Sequence, residues 1–489
     1  MKVRNLFPAL GFKQNQRQLK NRDIAARYDA ADPLGRRRSG EYRLNRHEGP
    51  TPSLVDLETI RNRARELEQN TGIVSSILNH IQVGLVGSGI VPEPSVTTVT
   101  GDPLLELSDK LQELWYEWQE TGESTGTYTE LESQLLVARS YYRDGEIFIQ
   151  HNPGLEAAGS RIPYTYTLLT ADSLLSSIDH TDGIVRDKLG RVEEYRFGSL
   201  LNQQDVVTIP AHLISHFMYR TEIGQTRGVS ALAPVINDIE ALRKIDEYEL
   251  VAQQVAASLA LAINKGSPEE YSVANQKFGP DGEPVPRDIE FGPGSIIDSL
   301  EPGERPEILE SRRPSSERMA FRDAIAKQVA GGVGPISASN MMRNYEGNYS
   351  SRRQELVEMH GIQVQHFRKL TSAVEQPKWS YLLKAVQEAG LVSIPSNVSQ
   401  RSLLYPNYTP NAVPWIDPAK EIKYYVELIN NGLDSREFVA NSRGRDWREI
   451  QRQRQSEQEL YNNGLLPIPN QQNNQQSNSP TPNEGNPSE

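Results

Sequence analysis

Apolar residues recur at mostly three- and four-residue steps from residue 230 to residue 265, in the longest such pattern of the chain. This spacing places them on one face of a helix. The apolar positions are Val235, Ile239, Leu242, Tyr248, Val255, Leu259 and Ile263. Gly228 and Pro234 stand at the start, and Gly266 and Pro268 follow the end, as is typical of helix boundaries. The pattern predicts a helix of roughly 50 Å. Its alanine-rich last third suits either the centre of a large domain or packing against copies of itself.

Other segments predict a mixture of helices and strands. Helical spacing covers 54–83, two segments within 103–142, 315–330, 348–374 and three segments within 417–463. Strand patterns cover 146–150, 164–169, 183–187, 192–197 and 210–218, with a hairpin turn at 187–190. Proline and glycine interrupt 266–310, where only short strands at 289–291 and 295–300 are expected. The predicted fold class is therefore α+β.

Composition narrows the classes of function. The net charge of −12 argues against a tight, static DNA-binding protein, which needs a basic surface, but not against a protein past which DNA slides. The absence of cysteine excludes disulfides, cysteine-ligated zinc and thiol catalysis. The sequence has no run of about 18 apolar residues and no apolar core of a signal peptide, so we expect a soluble, intracellular protein without a membrane span.

Both ends of the chain differ in composition from the rest. Residues 1–50 form a basic arm, which would contact phosphate or an acidic partner, or remain a flexible terminus that orders on assembly. Residues 466–489 are rich in Asn, Gln, Ser and Pro and contain no aromatic residue, which predicts disorder.

Three features resemble sites of chemistry but lack the residues that would complete them. The glycine-rich segments 84–92 and 331–351 have no Gly-Lys-Ser/Thr, so a turn and a loop are expected in place of phosphate-binding loops. His212 and His216 have a metal-ligand spacing for a helix, but the alternation around them favours a strand, with no third ligand nearby. The carboxylates show no acid/base or metal-ligand spacing. We expect no enzyme, metal or cofactor. A metal-dependent DNA-processing enzyme and a monomeric scaffold or adaptor protein remain alternatives.

Five separated motifs over about residues 28–465 resemble the portal proteins of tailed bacteriophages, in their lambda-type family. The motifs are Tyr28-Asp-Ala-Ala31, Arg61-x-Arg-Ala-Arg-Glu-Leu-x-x-Asn70 followed by Val86-Gly-Ser-Gly-Ile-x-Pro92, Gly224-Gln-Thr-Arg-Gly228, Asn348-Tyr-Ser-Ser-x-Arg353 and Trp415-x-Asp-Pro-x-Lys-Glu421. One departure follows the last motif, where Tyr424 and Tyr425 replace an aliphatic-rich pattern.

The resemblance implies a portal-type fold with a mixed α/β wing, a helical stem, a small α/β clip, a tunnel loop and helix, and a C-terminal helical crown. The implied domains are an N-terminal arm (1–50), the wing (51–228), the first stem helix (229–265), the clip (266–310), the second stem helix (311–333), the tunnel loop and helix (334–376), a wing return segment (377–416), the crown helices (417–465) and a disordered tail (466–489).

The resemblance also implies a ring of twelve identical subunits at one capsid vertex, which forms the channel for packaging and ejection of double-stranded viral DNA. The implied partners are the terminase large subunit, a head-tail adaptor protein, the major capsid protein and scaffold, with no membrane. The protein would reside in the virion and in the host cytoplasm during assembly.

Candidate residues follow from these implied parts. A polar, nearly neutral loop could touch sliding DNA without strong phosphate pairing; the residues expected to face the tunnel are Asn340, Arg343, Asn344 and Asn348, of which Arg343 is the main DNA-contact candidate. The residues expected to pack between subunits are Val235, Ile239, Leu242, Ala252, Ala256 and Leu259. The expected docking face of the clip carries Lys277, Asp281, Glu283 and Arg287.

Overall fold

The structure is a computed structural model that describes residues 54–157, 159–175, 182–198, 206–257, 261–265, 280–282, 304–308, 316–345, 349–411, 418–443, 445 and 447–462. The predictions for the N-terminal arm, for the strands at 289–291 and 295–300, and for the tail at 466–489 lie outside these residues. The expected mixture of helices and strands is confirmed.

Helices account for most of the described elements. They are α1 (Leu54–Asn70), α2 (Gly72–Leu85), α3 (Leu105–Trp118), α4 (Glu130–Arg143), α5 (Ile236–Ala257), α6 (Ser316–Val333), α7 (Ala338–Met342), α8 (Tyr349–Leu370), α9 (Gln376–Glu388), α10 (Gln400–Leu404), α11 (Pro418–Asn430), α12 (Arg436–Ser442) and α13 (Trp447–Asn462). No helix among the described residues has both the length and the apolar content needed to cross a bilayer.

Strands form small sheets. They are β1 (Glu146–Pro153), β2 (Tyr164–Thr170), β3 (Ile184–Arg186), β4 (Val192–Gly198), β5 (Val206–Pro210), β6 (Ile214–Met218), β7 (Leu261–Lys265) and β8 (Glu304–Ile308). The strand orders are β2-β1-β6, β3-β4-β5 and β7-β8. Strand β4 is antiparallel to β3 and β5, and the predicted turn at 187–190 closes β3 onto β4 with Gly190 at a φ of 82°.

The prediction of one helix over 230–265 is wrong at both ends. The backbone N–H of Ala231 donates to the carbonyl of Tyr142 over 3.0 Å, and residues 231–235 form turns, so the regular helix starts only at Ile236. At the other end, β7 pairs antiparallel with β8, and Ile263 lies opposite Pro306. Pairing with a segment about 40 residues away therefore overrides the local helical pattern, as tertiary context commonly does.

Two further predictions need correction. The strand expected over 210–218 is interrupted by a 3₁₀ turn at Ala211–Leu213, which holds His212, while His216 lies on β6. The helix expected to end at 374 passes through a π-helical turn, Thr371–Glu375, directly into α9. The expected helices at 315–330 and 418–430 are confirmed as α6 and α11, and Gly432 ends α11 with a φ of 68°.

The described chain divides into two compact units. Unit 1 takes its residues from Met1–Ile81, Arg139–Ile149 and Leu169–Glu346. Unit 2 takes its residues from Gln82–Ala138, Gln150–Leu168 and Gly347–Glu489. The chain enters each unit three times, so neither unit is a contiguous stretch of sequence.

Each unit has an apolar core of its own. In unit 1, buried side chains of the β-strand region pack together; they are Phe148, Leu169, Leu174, Ile184, Tyr195, Phe197, Ile209 and Ile214. In unit 2, Trp115 lies 5.0 Å from Trp118 and 6.2 Å from Trp379, measured between ring centroids. The indole N–H of Trp118 donates to the carbonyl of Tyr164, and that of Trp379 donates to the carbonyl of Leu403. Trp118 and Trp379 therefore bury their apolar rings with the indole N–H of each hydrogen-bonded.

Two glycines allow two segments of unit 1 to touch. A Cβ added at Gly228 would overlap the carbonyl oxygen of Gly145, and a Cβ at Gly145 would overlap the backbone of Val229. Gly145 also has a φ of 88°, a conformation that favours glycine. The turn after α4 and the segment before α5 therefore meet backbone to backbone.

Replacing Gly228 with alanine tests this contact. Because the new methyl group would meet rigid backbone, we expect Gly228→Ala to destabilise the fold by roughly 3 kcal/mol or more. The matched control is Gly361→Ala in α8, where nothing lies within 4 Å of the added Cβ. A helix-interior alanine in open space stabilises by about 0.5–1 kcal/mol. Thermal unfolding should give a melting temperature below that of wild type for Gly228→Ala and above it for Gly361→Ala. Equal melting temperatures of the two variants would contradict the backbone contact.

Candidate functional site

Residues 337–344 form a tight helical turn whose end is unusual. The Ser337 side chain accepts from the backbone N–H of Asn340 over 3.1 Å and caps α7. At the other end the N–H of Arg343 reaches the carbonyl of Asn340 over 3.4 Å, and the N–H of Asn344 reaches that of Ser339 over 3.1 Å. This pair of bonds is a Schellman ending, in which glycine usually occupies the position held by Arg343.

Arg343 is the one residue other than glycine with a positive φ, 51°, among those the structure describes. A left-handed conformation costs an L-residue roughly 1–2 kcal/mol. The side chains of Arg343 and Asn344 are exposed, and Asn340 is half-buried. The predicted DNA-facing residue Asn348 lies outside the described residues. The turn therefore presents a guanidinium to solvent from a fixed backbone.

The turn is anchored to the body of unit 1. Met341 is buried, and the Ser76 hydroxyl of α2 donates to the carbonyl of Met341 over 3.1 Å. Directly before the turn, Gly332 of α6 lies so close to Val235 that an added Cβ would overlap the Val235 side chain. Contacts on both sides of α7 therefore hold the turn in place.

Helices α5 and α6 pack against each other with an ion pair at their exposed side. Arg322 Nε lies 2.8 Å from Asp246 Oδ1, and Arg322 Nη2 lies 3.1 Å from Asp246 Oδ2. Large apolar side chains nearby remain exposed in the single chain; they are Tyr248, Leu250 and Val251 on α5, and Met319 and Phe321 on α6.

The residues predicted to pack between subunits need reassignment. Val235, Ile239 and Leu242 are at most 2% exposed within the single chain, so they have no side-chain surface left for another copy. Ala252 is half-buried. The side chain of Ala256 and the whole of Leu259 lie outside the described residues. We therefore transfer this prediction to the exposed apolar residues of α5 and α6.

The predicted docking face of the clip is described only at one point. Asp281 is exposed within the short described turn 280–282. Lys277, Glu283 and Arg287 lie outside the described residues. That part of the prediction stays a prediction.

A buried carboxylate, Glu146, joins three segments of unit 1. Glu146 is the first residue of β1 and is fully buried. Arg227 Nε donates to Glu146 Oε1 over 2.8 Å, and the backbone N–H of Gly228 donates to Glu146 Oε2, also over 2.8 Å. His216 Nε2 lies 3.0 Å from Glu146 Oε2. These bonds tie β1 to β6 and to the segment before α5.

The electrostatics of this cluster keep Glu146 ionised. Burial alone would raise the pKa of Glu146, but Arg227 and His216 together outweigh it and hold the pKa at about 2. Burial lowers the pKa of His216, against the opposing effect of Glu146. A neutral His216 must then carry its proton on Nε2, facing the carboxylate. Its other ring nitrogen lies 3.4 Å from the Tyr195 hydroxyl, which can donate to it.

Three arginines of α1 extend this cluster in two directions. Arg61 lies 3.5 Å from Glu146, and Arg65 binds Asp144 over 2.8 Å. Arg63, between them, points elsewhere and binds Glu240 of α5 over 2.6 Å. The motif Arg61-x-Arg-x-Arg65 therefore connects the β1 turn to α5 through a single helix.

A second buried charge cluster lies in unit 2, beside the π-helical turn between α8 and α9. Lys378 Nζ lies 2.5 Å from Glu130 Oε1 and 3.5 Å from Glu375 Oε1. Gln134 Nε2 donates to both carboxylates, and the Tyr166 hydroxyl donates to Glu130 over 2.7 Å. Two carboxylates therefore share one lysine.

One carboxylate of this pair is held protonated. Burial and the neighbouring charge of Glu130 raise the pKa of Glu375 to about 8, although Lys378 acts in the opposite direction. Interactions with Glu130 and Glu375 raise the pKa of Lys378 against the opposing effect of its burial. At neutral pH Glu375 is thus uncharged beside the salt bridge of Lys378 with Glu130.

Sequence reasoning identified the segments of the unit 1 cluster but did not bring them together. Gly228 stands at a predicted helix start, and nothing local in the sequence places Gly145 against it. The sequence does contain a signal that could have joined them. Gly145 precedes the acidic Glu146, and Gly228 follows the basic Arg227, so each glycine neighbours a charge opposite to the other. Lys378 and Glu375 had no such signal, because a lysine three residues from a glutamate is ordinary on a solvated helix.

Residues 36–362 match the family described as "Phage portal protein, lambda family". The match covers more than half of the chain. The chain belongs to the lambda family of phage portal proteins. A comparison with curated proteins gives no match.

Solved structures to which this chain is similar include two from gene transfer agent (GTA) particles. "Virion of native gene transfer agent (GTA) particle" is 11% identical with a TM-score of 0.45, and the alignment covers 78% of this chain and 92% of that one. "Neck of empty GTA particle computed with C6 symmetry" is also 11% identical, with a TM-score of 0.46, over 78% of this chain and 93% of that one.

The buried pair in unit 2 predicts opposite results for two similar substitutions. The pKa of Glu375 is raised from 4.5 to about 8, so the folded state holds a proton that the unfolded state releases, and stability falls as pH rises through that window. Glu375→Gln removes this pH-dependent loss of stability. The difference in melting temperature between the variant and wild type should therefore grow in favour of the variant from about pH 5 to about pH 8. Glu130→Gln removes the salt-bridge partner of Lys378 and should cost roughly 3 kcal/mol at neutral pH.

Differential scanning fluorimetry across this pH range measures both effects. An unchanged pH profile for Glu375→Gln would show that Glu375 is ionised in the folded protein at neutral pH. A Glu130→Gln variant as stable as wild type would show that Glu375 carries the pair with Lys378.

Proposed function

We propose that this chain is the subunit of a portal ring, a closed ring of twelve copies at one vertex of a viral capsid. The observation that carries the proposal is the match to the lambda portal family over residues 36–362. The ring forms the channel through which double-stranded DNA is packaged and ejected. The protein acts by shape and contact, without catalysis, metal or cofactor, and is part of the virion after assembly in the host cytoplasm.

The proposal keeps the predicted division of the chain into domains and revises one boundary, between the first stem helix and the clip. The wing (51–228) holds the ring in the shell and meets the major capsid protein and scaffold. The segment 266–310 acts as the clip and docks the terminase large subunit and the head-tail adaptor protein. The stem consists of α5 and α6. The β7–β8 pair lies where the prediction had the end of a stem helix, and it supports a clip that begins nearer to residue 258.

Exposed apolar residues on α5 and α6 support assembly of the subunit into a ring. Exposed large side chains that cluster on two adjacent helices commonly mark protein interfaces. Tyr248 is 68% exposed and Phe321 is 58% exposed. Their burial between neighbouring stems would stabilise the ring through the hydrophobic effect.

The turn at Arg343 supports a role in contacting DNA. The guanidinium is exposed on a fixed backbone, and its neighbours Asn340 and Asn344 are uncharged. A single positive charge per subunit would attract phosphates while leaving each contact weak enough for DNA to slide. Arg343, Asn340, Asn344 and Asn348 are therefore proposed as the tunnel-facing residues.

Charged substitutions on the stem test the ring. We expect Phe321→Glu to leave the subunit folded, because the side chain is exposed, but to prevent or strongly weaken ring formation, because it would bury a carboxylate at the interface. The control is Leu189→Glu in the β3–β4 turn, where Leu189 is 74% exposed. Negative-stain electron microscopy with light scattering distinguishes rings from single subunits. Intact rings of Phe321→Glu would contradict the stem assignment.

Three substitutions at one position test the DNA contact. Arg343→Gly removes the guanidinium and suits the positive φ, so it should leave the subunit unchanged or more stable by about 1 kcal/mol. Rings should form, but assembled heads should retain less DNA. Arg343→Lys keeps the charge and should retain DNA like wild type; Arg343→Ala loses the charge but keeps the backbone strain.

Nuclease-protected DNA in assembled heads, measured at several salt concentrations, gives the result. Because phosphate contacts weaken with salt, the difference between Arg343→Gly and wild type should shrink as salt rises. A wild-type DNA content in Arg343→Gly heads, or a failure of that variant to form rings, would mean that Arg343 has another role.

A further inference from the structure

An open groove in unit 2 lies between α3 and α13. Its volume is about 1020 Å³, and it is lined by residues of α3, α13 and the segment 91–103. Its apolar part includes Leu105, which is 55% exposed, and Tyr116, which is 50% exposed, together with Trp447 of α13. Exposed aromatic and aliphatic side chains around a groove of this size mark a surface that binds another polypeptide segment.

The groove also carries hydrogen-bond donors without partners. Gln112 of α3 and Gln451 of α13 each have a buried side-chain Nε2 that makes no hydrogen bond to any described residue. Buried amide nitrogens are nearly always bonded, since leaving one unpaired costs free energy. Both nitrogens lie beneath the groove surface, so each amide would turn outward to donate to a backbone carbonyl of a bound polypeptide.

The charge of the groove defines the kind of segment it would accept. Among the described residues that line it, Glu93, Asp109 and Glu113 are acidic, and Arg452, which lies 3.3 Å from Asp109, is basic. The lining is therefore acidic. A bound segment should carry basic residues together with apolar anchors.

We propose that residues 1–22 of this chain occupy the groove. They contain six Lys or Arg residues and no Asp or Glu, and they include the apolar residues Leu6, Phe7, Leu10 and Phe12. The other long terminal segment, 463–489, follows α13 directly but has no Lys or Arg and two Glu residues, so it cannot complement the acidic lining. Apolar anchors enter beside Tyr116 and Trp447, and the basic residues lie near the carboxylates. This inference does not depend on the proposed function.

Photo-crosslinking in the full-length chain tests the proposal. A benzoyl-phenylalanine placed at position 12 should crosslink to 91–116 or 447–452, as mapped by mass spectrometry of the digested product. The gel mobility of the product tells whether the arm comes from the same chain or from another copy, and either result supports the docking. Crosslinks that map elsewhere, or only to added duplex DNA, would overturn it.

Two groove variants and one matched control make the test specific. Glu113 is exposed and Tyr116 half exposed, so Glu113→Lys and Tyr116→Ala should leave the fold intact, as checked by their melting temperatures. Both should reduce crosslinking to the groove, by about two- to fivefold for the charge reversal and by about fivefold for loss of the aromatic anchor. Glu388→Lys on α9, also exposed and outside the groove, should change nothing. Equal crosslinking in all variants would refute the docking.

Discussion

The burial of one ionised carboxylate, Glu146, constrains most of unit 1. A buried charge is tolerated only when it is paired and hydrogen-bonded. Glu146 obtains its partners from Arg227, from the N–H of Gly228 and from His216, which come from two other segments. The start of β1, the strand β6 and the approach to α5 must therefore arrive together, and Gly145 and Gly228 provide the room for it. Through Arg61 and Arg63, α1 then links this cluster to α5.

Unit 2 satisfies its buried charges in a different way. There the positive charge of one lysine, Lys378, is shared between Glu130 and Glu375, and the second carboxylate is kept neutral by its raised pKa. The π-helical turn Thr371–Glu375 precedes this lysine, and such turns contain an extra residue relative to an α-helix. The continuous helix through α8 and α9 thus changes its register directly beside its buried charges. The two units differ accordingly in the pH range over which their charge clusters titrate.

Elements with local signals were predictable from the sequence, and elements that depend on distant partners were not. The Pro418 start of α11 and its Gly432 end were both apparent, because proline and glycine act within a single turn. The strand at 261–265 was not, because its partner β8 lies about 40 residues away. Among the candidate site residues, Asn340, Arg343 and Asn344 lie on one turn because they lie within five residues of one another in the sequence. The Schellman ending at Arg343 had no signal, since arginine stands where glycine would have indicated it.

In the turn at 337–344, the backbone conformation and the surface charge depend on different groups. The backbone bonds at Ser339 and Asn340 and the buried Met341 hold its form, and none of them uses the Arg343 side chain. Exchanging this side chain therefore alters the local electric field and leaves the framework in place. In the proposed ring, with this turn at the channel, a single codon would change the channel charge by as many units as there are subunits. Selection would then change the friction on the passing DNA in large steps, without any other residue having to adapt.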